Sequence, residues 1–537
     1  MSVRVRFAPS PTGNVHIGNI RVALFNWLYA RHHKGTFLLR VEDTDRERST
    51  PAAIRNLLEV MDWLGLDVDE APFYQSEQVE AHQAAARRLL EEGRAYEVPG
   101  EGGATAIAFR IPFDTTGVPE VRDVDVAEIA VHPDEPVAIS AKGVSFAGVS
   151  KKGKPVPQAA CLAGFQGLEV FDAGGTRLYA LEDELATVLS GEKTASVENA
   201  SLMRFRRRVV TFQDQIKGEL SKPLDSLKDV VVLRSDGSPV FHLANVCDDA
   251  AQTVTHIIRG DDHVENTYRH VLLYRALGLT PPVYAHLPMI VNEQGKPYSK
   301  RDGDAFVGEF RQKGYLPDAL ANYLALLGWS PGDDREILSR EEMVEAFSLD
   351  RVQQTAAQMD LRKLDNLNGH YMAELAFERF LDLAQGAARS FDWYPGDDEP
   401  QFRTVAALLQ SRTKKLTDVA SWGHFFRDLP EYDEKALRKF VGKEGVPAAL
   451  LELADRLSEI EWTPAAVEQA VHAVTEEHGI KQGKLNQPLR VAVTGTTVGA
   501  GVFETLAVLG RERSLERVRH AATRPASGAE AGTETGG

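Results

Sequence analysis

His16-Ile17-Gly18-Asn19 stands where a strand gives way to a helix. Residues 3 to 8 alternate in character and read as the strand, Pro9-Ser10-Pro11-Thr12-Gly13 breaks it, and Ile17, Ile20, Leu24, Trp27 and Leu28 then recur with a helical period. Such a turn aims backbone N–H groups and the positive end of the helix dipole at one point, which favours a phosphate or another anion. A His and a Gly also occur in strand-to-helix turns that bind nothing, so these four residues alone leave both readings open. Further along, Ser299-Lys300-Arg301 sets two cations side by side. In isolation a triplet of that kind reads as solvated loop charge.

The surrounding elements describe a βαβ unit. Gly35 is read as the helix stop, and Thr36 to Glu42, an almost continuous apolar run ending in Arg40-Val41-Glu42, as a second strand buried on both faces. Thr50 followed by Pro51 predicts a helix start, with Ile54, Leu57, Leu58, Met61 and Leu64 on one face and Gly65 at the end. Another helix is expected over 77–92. Between 96 and 239 the helical period fades into valine- and glycine-rich segments such as 136–140 and 167–171, which predict the short strands and turns of an inserted domain. Strands at 254–258 and 283–291 then flank a helix at 264–277, completing the parallel sheet after the insertion. From Phe310 onward, apolar spacings at 316–327, 405–409 and 450–457 predict helices.

At 537 residues the chain exceeds one hydrophobic core and predicts about two to four domains. A composition of 43% hydrophobic and 26% charged residues, with no apolar run near the about 18 residues of a membrane span, argues against a membrane role. Met1-Ser2-Val3-Arg4-Val5-Arg6 lacks the continuous apolar stretch of a signal peptide, so a cytoplasmic location is expected. Cys161 and Cys247 have no Cys or His neighbour at metal-ligand spacing, which argues against a disulfide framework and against zinc. The net charge of -17 lowers the expectation of a nucleic-acid partner, although a large acidic body can carry a local basic face.

The flanks of the first turn sharpen its reading. Phe7-Ala8-Pro9-Ser10-Pro11-Thr12-Gly13 and Arg40-Val41-Glu42-Asp43-Thr44-Asp45 resemble, nearly letter for letter, the opening of bacterial glutamyl-tRNA synthetases, which are class I aminoacyl-tRNA synthetases. Pro297-Tyr298-Ser299-Lys300-Arg301 stands where that family carries its KMSKS-type lysine loop and matches it in Ser299, Lys300 and Arg301. Pro297 replaces the usual first lysine, with Lys296 one residue earlier. Ile258-Arg259-Gly260-Asp261-Asp262-His263 with Tyr268-Arg269-His270 is similar to the second half of the family's core. Gly483-Lys484-Leu485-Asn486-Gln487-Pro488-Leu489-Arg490 with Val493-Thr494-Gly495 is similar to its anticodon-binding region, so the likeness runs almost to residue 522. Glutaminyl relatives end in β-barrels, whereas this C-terminus reads as helical. The implied fold is α/β: a split Rossmann-like parallel sheet at 1–95 and 240–295, and an inserted α+β acceptor-binding domain at 96–239 with atypical extra sequence. A lysine loop and helical stem-contact region at 296–390, an all-α C-terminal anticodon-binding region at 391–523 and a disordered tail at 524–537 would follow.

The function implied is ATP-dependent joining of L-glutamate to the 3′ end of tRNA(Glu) through glutamyl-adenylate. A carboxylate attacks the α-phosphate of ATP, and the protein's task is to align reactants and neutralise developing charge. The resemblance implies ATP contacts from His16, Gly18, Asn19, Ser299, Lys300 and Arg301, with His16 a donor to the phosphates and Lys300 the mobile cation that meets the pyrophosphate. Mg²⁺ is expected to bridge the ATP phosphates with ligands mostly from ATP and water; neither zinc nor a protein-held metal is expected. Selecting glutamate needs cationic forks for its carboxylates and an acidic partner for its ammonium, a need that Arg6, Arg259 and Glu42 fit. By resemblance, Arg6, Ala8, Ser10, Glu42, Asn245, Arg259 and His263 fall on amino-acid-site positions. Phe241 departs from a position where tyrosine is common and removes a hydroxyl contact. An interstrand ion pair is the competing reading of Arg6 and Arg259. Arg412 falls where the family places an anticodon-contacting arginine, against the alternative of a solvated helix end. A monomer is expected.

The stretch 97–205 follows the family poorly. Phe109-Arg110-Ile111-Pro112-Phe113 and Phe205-Arg206-Arg207-Arg208-Val209 look like two versions of one family segment with extra sequence between them. An enlarged acceptor-stem contact, a partner-binding module and a neutral surface addition all stay open. Arg204, Arg206, Arg207 and Arg208 read either as phosphate contacts or as a surface ion-pair cluster. The competing functions are an enzyme that also charges tRNA(Gln), a short synthetase-like enzyme that glutamylates a modified tRNA base, and an inactive tRNA-binding paralogue. The long stretch beyond the lysine loop argues against the second of these.

Overall fold

The computed structural model describes residues 2–11, 13–44, 49–99, 104–481 and 483–524. Thr12 and Asp45 of the opening motifs, Gln482, and the expected tail from 525 onward lie outside the described residues. The chain forms two compact units, Met1–Glu309 with Ala321–Met359, and Phe310–Leu320 with Asp360–Gly537.

The first unit begins with β1 (Arg4–Phe7), α1 (Ile17–His32), β2 (Thr36–Val41), α2 (Pro51–Trp63) and β3 (Phe73–Tyr74). β1 pairs in parallel with β2, and β2 with β3. Nearly every residue of β1 and β2 is buried, as strands covered on both faces by helices must be. The Thr50 hydroxyl accepts the Ala53 N–H at 3.2 Å and Pro51 opens α2, so the predicted start is realised. Gly65, at φ +65°, follows its end. Gly35 does not close α1 in the expected way. The left-handed residue there is Lys34, at φ 51°. Glycine at 35 serves a close approach instead, because a Cβ would lie 2.4 Å from the Val3 carbonyl oxygen.

Between 104 and 239 the described chain is mostly antiparallel strand, with an α-helix at Leu185–Ser190. Its spine is β4 (Leu202–Asp214), which pairs with Val121–Ala130, Gln166–Phe171 and Gly218–Pro223. Phe146, Phe165 and Phe205 centre a core of their own. The last residue of β4, Asp214, pairs in parallel with Tyr284, so the inserted segment feeds into the main sheet.

That sheet resumes with α3 (Phe241–Ala251), β5 (His256–Gly260), α4 (Val264–Ala276) and β6 (Val283–Leu287). β5 and β6 are parallel, with Arg259 opposite His286. β5 lies beside β1, tied at their N-terminal ends by Thr255 N–H to Arg4 O (2.9 Å) and Arg4 N–H to Thr255 Oγ1 (2.8 Å). The order β3-β2-β1-β5-β6 therefore changes direction between β1 and β5, and the crevice at the C-terminal ends of those strands is where open α/β sheets hold ligands. α3 escapes a reading by periodicity because Asn245, Asp248 and Asp249 are buried alongside Leu243, Ala244 and Val246. Cys161 and Cys247 are free, and burial pushes both thiols up to about 12.

The second unit is helical, with no strand among its described residues. Its longest helices are Leu361–Glu374, Val446–Glu459 and Pro464–Glu477, followed by Asn486–Thr494, Val502–Leu509 and Arg511–Thr523. Buried Arg517 holds the last helix in place, donating to Val493 O (2.7 Å) and Asp428 O (2.9 Å). Among the described residues, no helix is long and apolar enough to cross a membrane.

Candidate active site

A cavity of about 660 Å³ opens at the C-terminal ends of β1, β2 and β5, beside the start of α1. Arg6, Ala8, Ser10, Glu42, Asn245, Arg259 and His263 line it together with His16, Gly18 and Asn19. Phe241 lines it too, its ring 5.5 Å from that of His263. Ser299, Lys300 and Arg301 are not part of this wall, but Pro297 and Tyr298 before them are.

His16 caps α1. Its Nδ1 accepts the Gly18 N–H at 3.1 Å, which assigns the ring proton to Nε2 and leaves that atom a donor. Burial lowers the ring's pKa against the pull of the Tyr298 backbone and of Glu309, so the neutral ring is favoured. Gly18 permits the fold-back: a Cβ there would sit 3.2 Å from Nδ1. The turn does not offer the expected cradle of free N–H groups. Ile17 N–H bonds Ala305 O (2.9 Å), Gly18 N–H the His16 ring, and Asn19 N–H His16 O (3.0 Å). The first-turn amides are already partnered, so an anion would meet the helix dipole and the His16 donor rather than a cradle of free N–H groups.

Behind the cavity lies a buried charge cluster. Asp249 Oδ1 accepts from Arg6 Nε at 2.8 Å and from Arg40 Nη1 at 2.6 Å. Asn245 Nδ2 donates to Glu42 Oε1 at 3.0 Å, and Arg40 Nη2 reaches the same oxygen at 3.5 Å. Arg6 does form an ion pair, as its competing reading holds, yet the partner comes from α3 rather than a neighbouring strand, and Arg6 lines the cavity as well. Burial raises the Glu42 carboxyl against the pull of Arg40 and Arg6. A cationic group entering the cavity would favour its ionised form. Arg40 and Asp249 are absent from the sequence-derived site. The available signal is Arg40 itself, a charge in a strand otherwise buried on both faces.

Arg259 is 6% exposed. Its Nε donates to His286 Nε2 at 3.3 Å and its Nη2 to Thr267 Oγ1 at 2.6 Å, while Nη1 has no hydrogen-bond partner. Burial lowers the guanidinium only to about 10, so it remains charged at neutral pH. A buried guanidinium that meets no carboxylate and stands in a cavity wall is a place for an anion, since a buried charge left without a counter-charge costs free energy.

The lysine loop is pinned by one carboxylate. Ser299 Oγ and N–H both donate to Asp302 Oδ2, at 2.8 and 2.9 Å, and Asn292 Nδ2 holds Oδ1 at 2.6 Å. Lys300 is exposed, and its ammonium lies over the Phe306 ring. Just beyond, Val307 N–H donates to Val15 O at 3.0 Å and Ala305 O accepts from Ile17, so backbone pairing ties the loop to the His16 turn.

Residues 2–100 and 183–366 match the family model described as tRNA synthetases class I (E and Q), catalytic domain, and residues 375–522 match an anticodon binding domain. The chain belongs to the class I tRNA synthetases of the E and Q type. Among curated proteins, Glutamate–tRNA ligase of Moorella thermoacetica is 37% identical over 534 residues, covering 97% of this chain and 98% of that one. Glutamate–tRNA ligase 1 of Alkalilimnicola ehrlichii is 37% identical over 538 residues, 97% of each chain. The crystal structure of a glutamate tRNA ligase from Elizabethkingia meningosepticum in complex with its amino acid matches with a TM-score of 0.70 at 28% identity, over 97% of this chain and 99% of that one.

The catalytic-domain match of this synthetase leaves out residues 101–182, inside the stretch whose sequence follows the family poorly. Its four-arginine group is largely committed internally. Arg208 is buried and donates to Phe113 O (2.9 Å) and Thr115 Oγ1 (3.0 Å), Arg207 pairs with Asp225 at 3.0 Å, and Arg204 pairs with Glu128 at 2.8 Å. The ion-pair reading describes Arg204 and Arg207, and Arg208 is structural. In the synthetase's second unit, Arg412 is exposed at the end of the Gln410–Arg412 turn. It neighbours Arg490, whose pKa is lowered first by burial and then by the Arg412 charge.

Proposed function

We propose that this synthetase is a glutamate–tRNA ligase, which activates L-glutamate with ATP to glutamyl-adenylate and transfers it to the 3′ end of tRNA(Glu). The observation that carries the amino-acid assignment is the buried guanidinium of Arg259, which bonds His286 and Thr267 rather than a carboxylate and lines a cavity together with Arg6 and Glu42. Two guanidiniums and one carboxylate are complementary to a small molecule with two carboxylates and one ammonium. The glutamate carboxylates meet Arg6 and Arg259, and the ammonium meets Glu42, which Asn245 orients.

In the first step a carboxylate oxygen of glutamate forms a bond to the α-phosphorus of ATP, and the bond to the departing pyrophosphate breaks. The His16 Nε2–H is a donor to the phosphates at the start of the reaction. Lys300, exposed on a loop tied to the same turn, moves to the pyrophosphate as its charge develops. In the second step a terminal ribose hydroxyl of tRNA attacks the glutamyl carbonyl and AMP leaves. Among the described residues no group of three or more His, Cys, Asp or Glu could hold a metal ion, and the carboxylates of the cavity wall are Glu42 and Asp262. That donor set fits a Mg²⁺ carried by the ATP phosphates and water, where it would offset phosphate charge. A monomer acting in the cytoplasm completes this reading.

The test is glutamate attachment to purified tRNA(Glu) and tRNA(Gln) in parallel, with ATP and Mg²⁺ and without added zinc. Charging of tRNA(Glu) alone is expected. Charging of both would assign a non-discriminating enzyme, and charging of neither by folded protein would leave a tRNA-binding paralogue as the better reading.

A further inference from the structure

Arg259 is held from behind by a chain of buried groups that ends in the inserted region. Asp214, the last residue of β4, accepts the Ile216 and Lys217 N–H groups on Oδ1 at 2.9 and 2.8 Å. Its Oδ2 accepts the His286 N–H at 3.1 Å and faces His286 Nδ1 at 2.6 Å. His286 Nε2 in turn faces Arg259 Nε at 3.3 Å and Thr267 Oγ1 at 3.0 Å, and Thr267 Oγ1 receives Arg259 Nη2 at 2.6 Å. Asp214, His286 and Thr267 are each no more than 1% exposed. Two aromatic rings also pack on it and on each other: Tyr284 stacks on it at 6.1 Å between centroids, Phe212 meets it at 5.9 Å, and the two lie 5.5 Å apart.

The chemistry of these contacts determines the tautomer. An ionised carboxylate only accepts, so the ring proton must sit on Nδ1 toward Asp214, which leaves Nε2 with a lone pair toward Arg259. Arg259 Nε–H then has an acceptor. With the opposite tautomer, or with a protonated ring, an N–H would point at the guanidinium. Two of the three guanidinium nitrogens are thereby fixed from behind; the third, Nη1, has no partner, and the Arg259 side chain stands in the cavity wall.

We propose that Asp214 and His286 are positioning residues for amino-acid recognition: the Asp214 carboxylate sets the His286 tautomer, and the ring's Nε2 orients Arg259 so that its guanidinium, in the cavity wall, is presented to a substrate carboxylate. This rests on reading Arg259 as a carboxylate contact. It adds residues that touch neither glutamate nor ATP. It also gives the strand from the inserted region a part in amino-acid selection, because its terminal residue sets the far end of the relay.

The test is ATP–pyrophosphate exchange in the presence of tRNA(Glu), with glutamate and ATP titrated separately, on Arg259→Ala, His286→Asn, His286→Gln and Asp214→Asn. Asparagine at 286 can keep a donor toward Asp214 but loses the acceptor facing Arg259. Glutamine can place its carbonyl oxygen near the Nε2 position. H286N is expected to raise the KM for glutamate by roughly five- to a hundredfold, the range for a buried donor left unmet, with the KM for ATP little changed. H286Q is expected to recover most of that loss. D214N, which offers an amide N–H to the ring and favours the wrong tautomer, is expected to resemble H286N. A glutamate KM in folded H286N or D214N equal to that of the unmutated enzyme would overturn the proposal. So would equal defects in H286N and H286Q, because the ring would then serve only to fill space. Should H286N not fold, the D214N and H286Q pair decides by the same criterion. If R259A itself leaves the glutamate KM unchanged, the reading of the cavity fails; if R259A raises it and H286N does not, only the positioning role fails.

Discussion

The Lys300 ammonium lies 4.7 Å from the centre of the Phe306 ring. The same ring stands at right angles to His16, 6.0 Å between centroids, and the backbones of Phe306 and His16 form an antiparallel bridge. Phe306 thus joins the cation of the second motif to the donor of the first, at the end of a loop whose other fixed point is Asp302.

Lys300→Ala is expected to lower the rate of adenylate formation by about a hundred- to a thousandfold, the loss typical of one transition-state donor, while glutamate KM changes far less. ATP–pyrophosphate exchange measures both. Unchanged turnover would remove Lys300 from the chemistry.

Phe306→Leu keeps an apolar side chain but removes the ring under Lys300. A cation–π contact at an exposed site is worth about 0.5–1 kcal/mol, so a change of about two- to fivefold in exchange rate is expected, much smaller than for Lys300→Ala. The sign is informative. A slower enzyme means the ring holds Lys300 ready for the phosphates, and a faster one means it keeps the ammonium away from them.

Asp249→Ala leaves Arg6 and Arg40 facing each other in a buried pocket without their shared acceptor. Removal of one partner from such a cluster costs about 3–5 kcal/mol, so a marked fall in the urea midpoint is expected. Folded material should also show a raised glutamate KM, because Arg6 loses the contact that orients it.

Asp229 supplies a pH-dependent test in the inserted region. Burial pushes its carboxyl up to about 6, against the Ile111 N–H, the Tyr96 side chain and Arg110. The folded state therefore holds this proton more tightly than the unfolded chain, whose ordinary value is 3.8. Its contribution to stability is present below pH 4 and is lost as pH rises through 6. Asp229→Asn removes the penalty of the buried charge, and a gain of about 2–3 kcal/mol is expected at pH 7–8, fading to none near pH 4. Thermal melts across that range check it; a gain independent of pH would mean that the carboxyl is not the cause.

Thr50 and Pro51 illustrate what local sequence can carry. Thr50 accepts an amide three residues on and Pro51 opens the helix, so type and spacing alone announce that start, whereas the room that Gly18 makes for the His16 ring shows only in the folded turn. Gly35 shows the limit. Its place after an apolar period suggested a helix stop, whereas the reason for glycine is the Val3 carbonyl on another strand. Asp249, likewise, looks like an ordinary helical acid until Arg6 and Arg40 are brought to it from two strands.

Strand and helix around the first turn were legible in the sequence because they depend on neighbours a few residues apart, and the motifs that bear His16 and Lys300, with the insertion between them, were legible through their resemblance to a family. The tertiary structure decided which charges are spent on each other and which are left for a ligand. Arg6, Arg40 and Arg259 are alike as letters, yet Arg40 is wholly buried on Asp249 and Glu42, Arg6 pairs and also lines the cavity, and Arg259 lines the cavity while bonding His286 and Thr267 rather than a carboxylate. That difference arises from contacts between separate elements, more than two hundred positions apart for Arg6 and Arg40 with Asp249, and from burial, which makes an unmatched charge costly enough to matter.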